Sequence, residues 1–592
     1  MAGTGTQNDP YDGSTSFAAA KSVTLTNVGL VANATTGAPH GYSSNQPVTI
    51  DVQTNPVGWS GTFLVTVTSS TTFTYLMINA PTGTPSGVMN ASAVLGFRFD
   101  TIMTTLAANT RIHLGPTSAN RPFLTKGYKV EGALGLSVKP AMKIIGSGID
   151  VTTLCLVGQP GTCYAIGHDF AAGTVDYFEV SDLTIDSNLM IPVATGNTAC
   201  GAVRVMGNHA RVRRIKVINW GANAAVPLFV VSAITADSAS SYVGVVDCGI
   251  EEVIAVLPVS SASVALITVL HAGPSDDAAS TTNEGYGTGP FIRNCFVDCG
   301  SPTATPEYRG LSMAWCKAGI VEGNQVHNTK YGGPYIKYSS SRDLVVRNNF
   351  YKNVAKGPFW NLGNKSSNTK TLSTLTFALI TGGYEATATT SANHNLNVGD
   401  RVQILCNPSS LNGTFVVSAV TSSTVFKYKT SVNGTFTSGT AERVFGIAKL
   451  VVEGNTIELA TLTSAPPNAP IGIHLDDNAL SSQAPDYAHG DVIIRDNKIR
   501  YLDGQFDSSY SGYGIQINGA KNLLVRNNVV ECYPSNPLRN NRCGSVKYFN
   551  DKTPAGVLIQ GINEGNRVAM TDTRSVTRGR ANGPDNVECL WL

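Results

Sequence analysis

The stretch LLVRNNVV at residues 523–530 has close copies elsewhere in the chain. LVVRNNFY starts at Leu344, LVVEGNTI at Leu450 and DVIIRDNKI at Asp491. Each copy fits the template h-x-x-N-x-h, where h is apolar. VEGNQV from Val321 fits as well. Weaker copies carry another residue at the Asn position: IRNCFV from Ile292, VRRIKV from Val212 and VSDLTI from Val180. The spacing carries the information: 29 residues from Cys295 to Asn324, 25 from Asn324 to Asn349 and 31 from Asn497 to Asn528. Repeats of 20–50 residues mark stacked units that bury a core only against their neighbours.

These units have strand character and no helical period. Short strands, three to a unit, fit the coil of a parallel β-helix. In that reading the apolar template residues point inward, and Arg347, Arg495 and Arg526 face water. The Asn sits at a bend, adopts the left-handed conformation and stacks on the Asn of the next coil as a ladder.

One gap breaks the rhythm. From Asn349 to Asn455 there are 106 residues, and removing a 74-residue segment leaves 32, which is one coil. The removed segment is Thr- and Val-rich, alternating and punctuated by turns. It has a twin near the N-terminus: His394 matches His40, Val402 and Ile404 match Val48 and Ile50, and Phe426 and Tyr428 match Phe73 and Tyr75. Each copy reads as a small β-barrel or sandwich inserted at a loop, where insertions are tolerated. The expected organisation is an N-terminal segment (1–18), a first insert (19–96), the first part of the β-helix (97–370), a second insert (371–445), the last coils (446–550) and a C-terminal segment (551–592). In that last segment the repeat disappears.

Composition excludes several classes. Charged residues are only 14% of the 592, with a formal net charge of +2. This gives no electrostatic footprint for nucleic acid. No apolar run is long enough to span a bilayer, and the first residues do not read as a signal peptide. The 11 cysteines form no CxxC pairs, so buried reduced thiols are expected. The sequence indicates no cofactor and no metal. Asp276 and Asp277 read as a solvated loop. The basic run around Val212 reads as a solvated strand face.

Two further motifs carry a family resemblance. FRFDTIMTTLAANT from Phe97 reads as a capping helix around Phe99–Ala108. MKIIGSGIDVTTL follows, with Ile144, Gly146, Gly148, Thr152 and Leu154 in an I-x-G-x-G-x-x-x-T-x-L turn. Together with the coils, this resembles the pectate-lyase-like superfamily over roughly Phe97–Lys370 and Gly446–Asn550. The resemblance implies an all-β, right-handed parallel β-helix. Members include polysaccharide lyases, glycoside hydrolases, epimerases and phage tailspikes. Tailspikes are similar in their grafted domains and non-repetitive C-terminal segment. That likeness implies a virion or extracellular location, a polysaccharide partner and a homo-oligomer, specifically a trimer. A free polysaccharide lyase or hydrolase, and a fibre or adhesive protein without catalysis, are the alternatives.

A second motif, Gly-h-x-h, lies about 14 residues before the Asn. Alternation along the strand turns Leu311, Ile336, Ile473 and Ile515 inward. It aligns Ser312, Lys337, Asn361, His474 and Gln516 on one outer face. Coils are about 4.8 Å apart, so Lys337 and His474 lie roughly 10 Å apart, a span that a sugar ring bridges. Asp476 shares the outward phase, and the loop after it carries Asp486 and Tyr487. Glu307 and Arg309 precede the Gly310 strand, and Tyr335 offers a stacking ring.

For elimination beside a carboxylate, Lys337 or His474 is the expected base and Arg309 the neutralising group. For hydrolysis, Asp476 with Glu307 or Asp486 is the expected carboxylate pair. Most outward polar residues of any β-helix only solvate its surface, so this row is the candidate rather than an assigned site.

Overall fold

The computed structural model describes residues 6–570 apart from 9, 12–15, 56, 78–79, 118–121, 130–131, 133, 158–162, 170–171, 188–199, 219–228, 233–244, 257–265, 272–286, 301–308, 315, 338–342, 362–368, 395, 397, 445–446, 461–470, 477–488, 502–512, 519, 533–544, 550–559 and 565–566. It divides into two units. The first comprises Met1–Met206, Ala210–Val230 and Glu251–Ala265, and the second Gly207–His209, Val231–Ile250 and Leu266–Leu592. The fold class is the parallel β-helix expected from the repeat, carrying two small closed barrels.

In the second unit each full coil supplies three strands, and equivalent strands of successive coils pair in parallel. Phe291–Arg293, Ile320–Glu322, Leu344–Arg347, Lys449–Glu453, His489–Arg495 and Ala520–Arg526 form the first sheet. The pairing superposes Ile292, Val321, Val346, Val452, Ile494 and Val525, all fully buried. Each apolar side chain so buried contributes roughly 1.5–3 kcal/mol. The second sheet repeats this with Val297, Val326, Tyr351, Ile457, Ile499 and Val530.

The template Asn residues form the ladder. Asn324, Asn349, Asn455, Asn497 and Asn528 are buried. Each Nδ2 donates to the Oδ1 of the next, at 2.9 Å in all four steps. Each Oδ1 from Asn349 onward also accepts the backbone N–H of the preceding ladder Asn. The Asn349–Asn455 bond spans the 106-residue gap as one coil step. Asn324 Oδ1 in turn accepts the N–H of Cys295, which holds the ladder position in the preceding coil.

The left-handed residue is not the ladder Asn, as expected, but the one before it. Gly323, Asn348, Gly454, Asp496 and Asn527 all have φ between 54° and 67°. The bend needs αL backbone at that preceding position, and it thereby turns the next side chain inward. Only Gly, Asn and Asp adopt αL cheaply.

Directly after each inward apolar residue of the first sheet comes a charge. Glu322 lies 2.8 Å from Arg347 and 3.7 Å from Arg293, and Arg495 lies 2.6 Å from Glu453.

The C-terminal expectation needs correction. Gln560–Glu564 pairs with Ala520–Arg526, and Arg567–Met570 with Val529–Cys532, both in parallel. A further coil therefore lies beyond residue 550. Its template Val is replaced by Asn563, opposite Val525, which hid the repeat.

In the first unit, Arg111–His113, Lys143–Ile145, Glu179–Asp186 and Arg211–Ile218 stack in parallel with Ile112, Ile144, Val180 and Val212 buried. The helix Arg98–Thr105 buries Phe99, Ile102 and Met103. The glycine turn has a steric cause at Gly146, where a Cβ would lie 2.1 Å from the Asp182 carbonyl. The basic run is neutralised from neighbouring coils. Arg213 meets Glu179 and Glu251, Arg214 meets Asp182, and Lys216 meets Asp150.

Both inserts are closed six-stranded barrels with the same strand order. Lys21–Val28, Val31–Thr36, Thr72–Leu76, Gly61–Val67, Pro47–Thr54 and Ser86–Gly96 follow one another around the first. Thr369–Ile380, Gly383–Thr390, Val425–Thr430, Gly413–Ser422, Arg401–Asn407 and Ser438–Val444 do so around the second. The shared residues are structural. Phe63 stacks on Tyr75, and Phe415 on Tyr428. His40 and His394 each accept a backbone N–H at Nδ1, from Tyr42 and Leu396, and donate from Nε2 to the carbonyls of Ser69 and Ser422. Cys155, Cys163, Cys248, Cys295, Cys299 and Cys316 are buried.

Candidate functional site

The third sheet of the second unit holds the candidate face. Its strands include Arg309–Ala314, Tyr335–Lys337, Phe359–Asn361, Ile471–Asp476, Tyr513–Asn518 and Ser545–Phe549. Leu311, Met313, Ile473, Leu475, Ile515 and Ile517 are buried core residues. This alternation leaves Ser312 and His474 on the opposite phase. Both are nevertheless buried, Ser312 at 1% exposure and His474 at 6%. The expectation of a solvated outward His474 is therefore corrected: its phase is outward, but water is excluded from it.

Lys356 lies beside His474. It ends the strand Phe350–Lys356 and sits in register between Tyr331 and Ile471, with 4% of its surface exposed. Its Nζ is 5.7 Å from the centroid of the Tyr331 ring, and Lys330 Nζ is 5.6 Å from the same ring. Glycines make this corner possible. A Cβ on Gly357 would stand 2.2 Å from the Gly472 carbonyl. The Gly332 N–H donates to Lys356 O at 2.8 Å, and the His474 N–H to Pro358 O at 3.0 Å.

Burial pushes His474 down to a pKa of about 3, with the Lys356 charge adding to the effect. The imidazole is neutral at pH 7. A neutral imidazole and an ammonium thus lie side by side, with the Tyr331 ring on the far side of the ammonium. This set can donate and accept hydrogen bonds with hydroxyls and can face a carboxylate.

The single row of five splits in two. Tyr335, Phe359, His474, Gln516 and Lys547 share one register position. Lys337, Asn361 and Asp476 share another, two residues further along. Asn361 therefore pairs with Asp476 and not with His474, because the Phe359 strand starts two residues earlier than the Gly-h-x-h alignment assumes. Trp360 pairs with the buried Leu475. Arg309 pairs with Tyr331, which brings its strand position to the same corner. Glu307, Asp486, Tyr487, Tyr338, Asp276 and Asp277 lie outside the described residues.

The sequence reading missed Lys356. A signal was present: Tyr331-Gly-Gly-Pro-Tyr335 and Lys356-Gly-Pro-Phe359 are the same corner one coil apart, with a glycine fewer in the second. Among the described residues, no group of three His, Cys, Asp or Glu side chains could hold a metal ion.

No protein-family model matches this chain, and no curated protein matches it. Several solved structures are similar to it, among them the following three. The tailspike protein of E. coli bacteriophage HK620 in complex with pentasaccharide has 10% identity and a TM-score of 0.38, over 80% of this chain and 62% of the tailspike chain. The A-module of the Azotobacter vinelandii mannuronan C-5 epimerase AlgE4 has 10% identity and a TM-score of 0.30, over 83% and 94%. PfbA, a surface adhesin of Streptococcus pneumoniae, has 8% identity and a TM-score of 0.32, over 80% and 88%. The chain thus spans 62% of the tailspike's length. At these values the site has to be argued from the residues of this chain.

Proposed function

We propose that this chain binds a surface polysaccharide along the third sheet of its second unit, as a tailspike-like protein at a virion or cell surface. The supporting observation is the corner itself. Lys356, His474 and Tyr331 are polar or amphipathic, neighbours beside a sheet whose core is aliphatic, and held out of water. Burying polar side chains is costly, and a β-helix needs none at this place for its ladder. The polysaccharide partner and the surface location also follow from the sequence resemblance.

Cleavage is the finer form of the proposal. Lys337 or His474 takes the base role and Arg309 the neutralising role in elimination. Asp476 with Glu307 or Asp486 takes the acid–base roles in hydrolysis. The test is retention of purified bacterial capsule and O-polysaccharides by the chain, with release of reducing ends and of unsaturated products followed separately. His474→Ala and Lys356→Met should each weaken retention at least tenfold while the circular dichroism of the β-helix persists. Retention of no glycan would sink this reading and leave a structural fibre. Retention without product would leave a binding protein.

A further inference from the structure

We infer that the first barrel is a self-association module, in which one row of its outer face meets the same row on a second copy of this chain. The inference does not depend on the glycan reading. The carrying observation is an uncovered apolar row that the twin barrel lacks. Val28 pairs with Val31, and Val31 with Leu76, across three adjacent strands. Ala32, Tyr75 and Met77, the chain neighbours of Val31 and Leu76, fill the barrel core, so the row lies on the outer phase. Its members are 78%, 43% and 42% exposed, and Leu30 in the hairpin turn is 40% exposed.

The twin shows that the fold does not ask for this row. Ala32 and Tyr75 correspond to Ala386 and Tyr428, which pair in the same way, so Val31 and Leu76 correspond to Glu385 and Lys429. Those two are partners in the same register, and Glu385 also holds Lys427 at 2.8 Å. The second barrel thus places ionic groups where the first stays apolar. Charge is scarce over the whole first barrel. Residues 19–96 contain Lys21 and Asp51 alone, whereas 371–445 contain seven charged residues. Of the fifteen exposed large hydrophobic residues among those described, seven belong to the first barrel.

Two further observations select a second copy as the occupant. The row continues into a contact that the chain already makes. The register that pairs Val65 with Tyr75 sets Leu64 level with Leu76, and Leu64 packs against the cluster that Val94 forms with Leu124, Cys155 and Val157 of the coils. A partner seated on the row therefore extends an existing apolar seam. A surface almost without charge also meets its own image without like-charge repulsion, while a charged partner finds no complementary potential on it. A lipid surface is the poorer match, because no Trp, Tyr, Lys or Arg stands in the row to anchor it among headgroups. Thr26, Asn33 and Thr74 form the next row on the same strands and give the contact a polar rim.

The test adds a cysteine at Val28 in the full chain and, in a second variant, at the exposed Ala378, its counterpart opposite Glu385. Both variants and the wild-type chain are oxidised with copper phenanthroline over a dilution series and run without reductant. Val28→Cys should give a covalent two-chain band, and Ala378→Cys and the wild type should not. Adding Val31→Glu or Leu76→Lys should lower the yield about tenfold or more, since each puts a charge into an apolar contact. The melting temperature should hold, because both positions are exposed and the twin carries these residues. A Val28→Cys yield no higher than that of Ala378→Cys, or one that neither charge lowers, overturns the inference. Co-sedimentation with phosphatidylcholine vesicles that Val31→Glu abolishes, with no cross-link formed, overturns it as well and makes the occupant a lipid surface.

Discussion

At the scale of single residues, the ladder Asn and the buried histidines make opposite demands on solvent. Asn455 donates to Asn497 Oδ1 and Val346 O, and its Oδ1 accepts two N–H groups of Asn349. Truncation strands buried partners on both sides, and each such group costs about 1–3 kcal/mol. Asn455→Ala should therefore lower unfolding stability by about 3 kcal/mol or more in urea titration, whereas Asn527→Ala in the exposed bend should cost less. His474 makes a pH-dependent demand. Its folded pKa of about 3 lies below the usual 6.5. Its contribution is therefore complete above pH 6.5 and is lost as pH falls toward 3, because the unfolded chain takes up a proton that the folded one resists. The slope approaches about 1.4 kcal/mol per pH unit. His168, pushed down to about 4 by burial, acts in the same direction in the first unit. Asp100, raised to about 6 by burial, opposes both, since its folded form holds a proton between about pH 4 and 6 that the unfolded chain has released. His474→Gln should flatten the decline of melting temperature between pH 6.5 and 4, and Asp100→Asn should steepen it. Unchanged slopes in both variants would show that these groups titrate normally.

At the scale of elements, the two barrels are self-sufficient. The second closes through Thr369–Ile380 against Ser438–Val444 and encloses Leu375, Val402, Ile404, Phe426 and Tyr428. The coils on either side of it are already bonded through Asn349 and Asn455. Residues 369–444 expressed alone should therefore fold, with dispersed amide resonances and one cooperative melting transition. His394→Ala in that fragment should cost about 1–3 kcal/mol, since it strands the buried Leu396 N–H. A molten spectrum would show that the barrel depends on its host. The barrels were legible in the sequence because their twin cores repeat residue for residue. The coils were legible because an apolar residue and an Asn must recur wherever a strand turns. The coil beyond residue 550 was not, because Asn563 stands at the strand position opposite Val525, where the template calls for an apolar residue. The site was half legible. Strand phase identified the face around His474, but phase does not reveal depth, and Lys356 falls outside the Gly-h-x-h motif that defined the row.

At the scale of the whole molecule, charge decides what can approach what. A net charge of +2 on 592 residues leaves little global repulsion between copies. In the second unit, the first sheet joins Arg293 to Glu322, Glu322 to Arg347 and Glu453 to Arg495 within one chain, which lowers the Coulomb penalty when its outer surface meets a like one. Beside that charged column, Ile320, Val345, Val451, Ile493 and Leu524 occupy one outward register position, each half-buried. A solenoid of the same period can match such a stripe coil for coil, and the trimer implied by the tailspike resemblance would have a dry contact available there. Light scattering after size exclusion should then give a particle near three times the 62.2 kDa of one chain. Val451→Glu and Ile493→Glu, both on the outward phase, should shift that particle toward the monomer without unfolding the coils. A wild-type chain that elutes at 62.2 kDa at all concentrations would remove the oligomer and move the polysaccharide reading to a free-standing enzyme or binding protein. Open-ended polymers would instead indicate a fibre, in which a non-closing contact extends along the chain rather than around an axis.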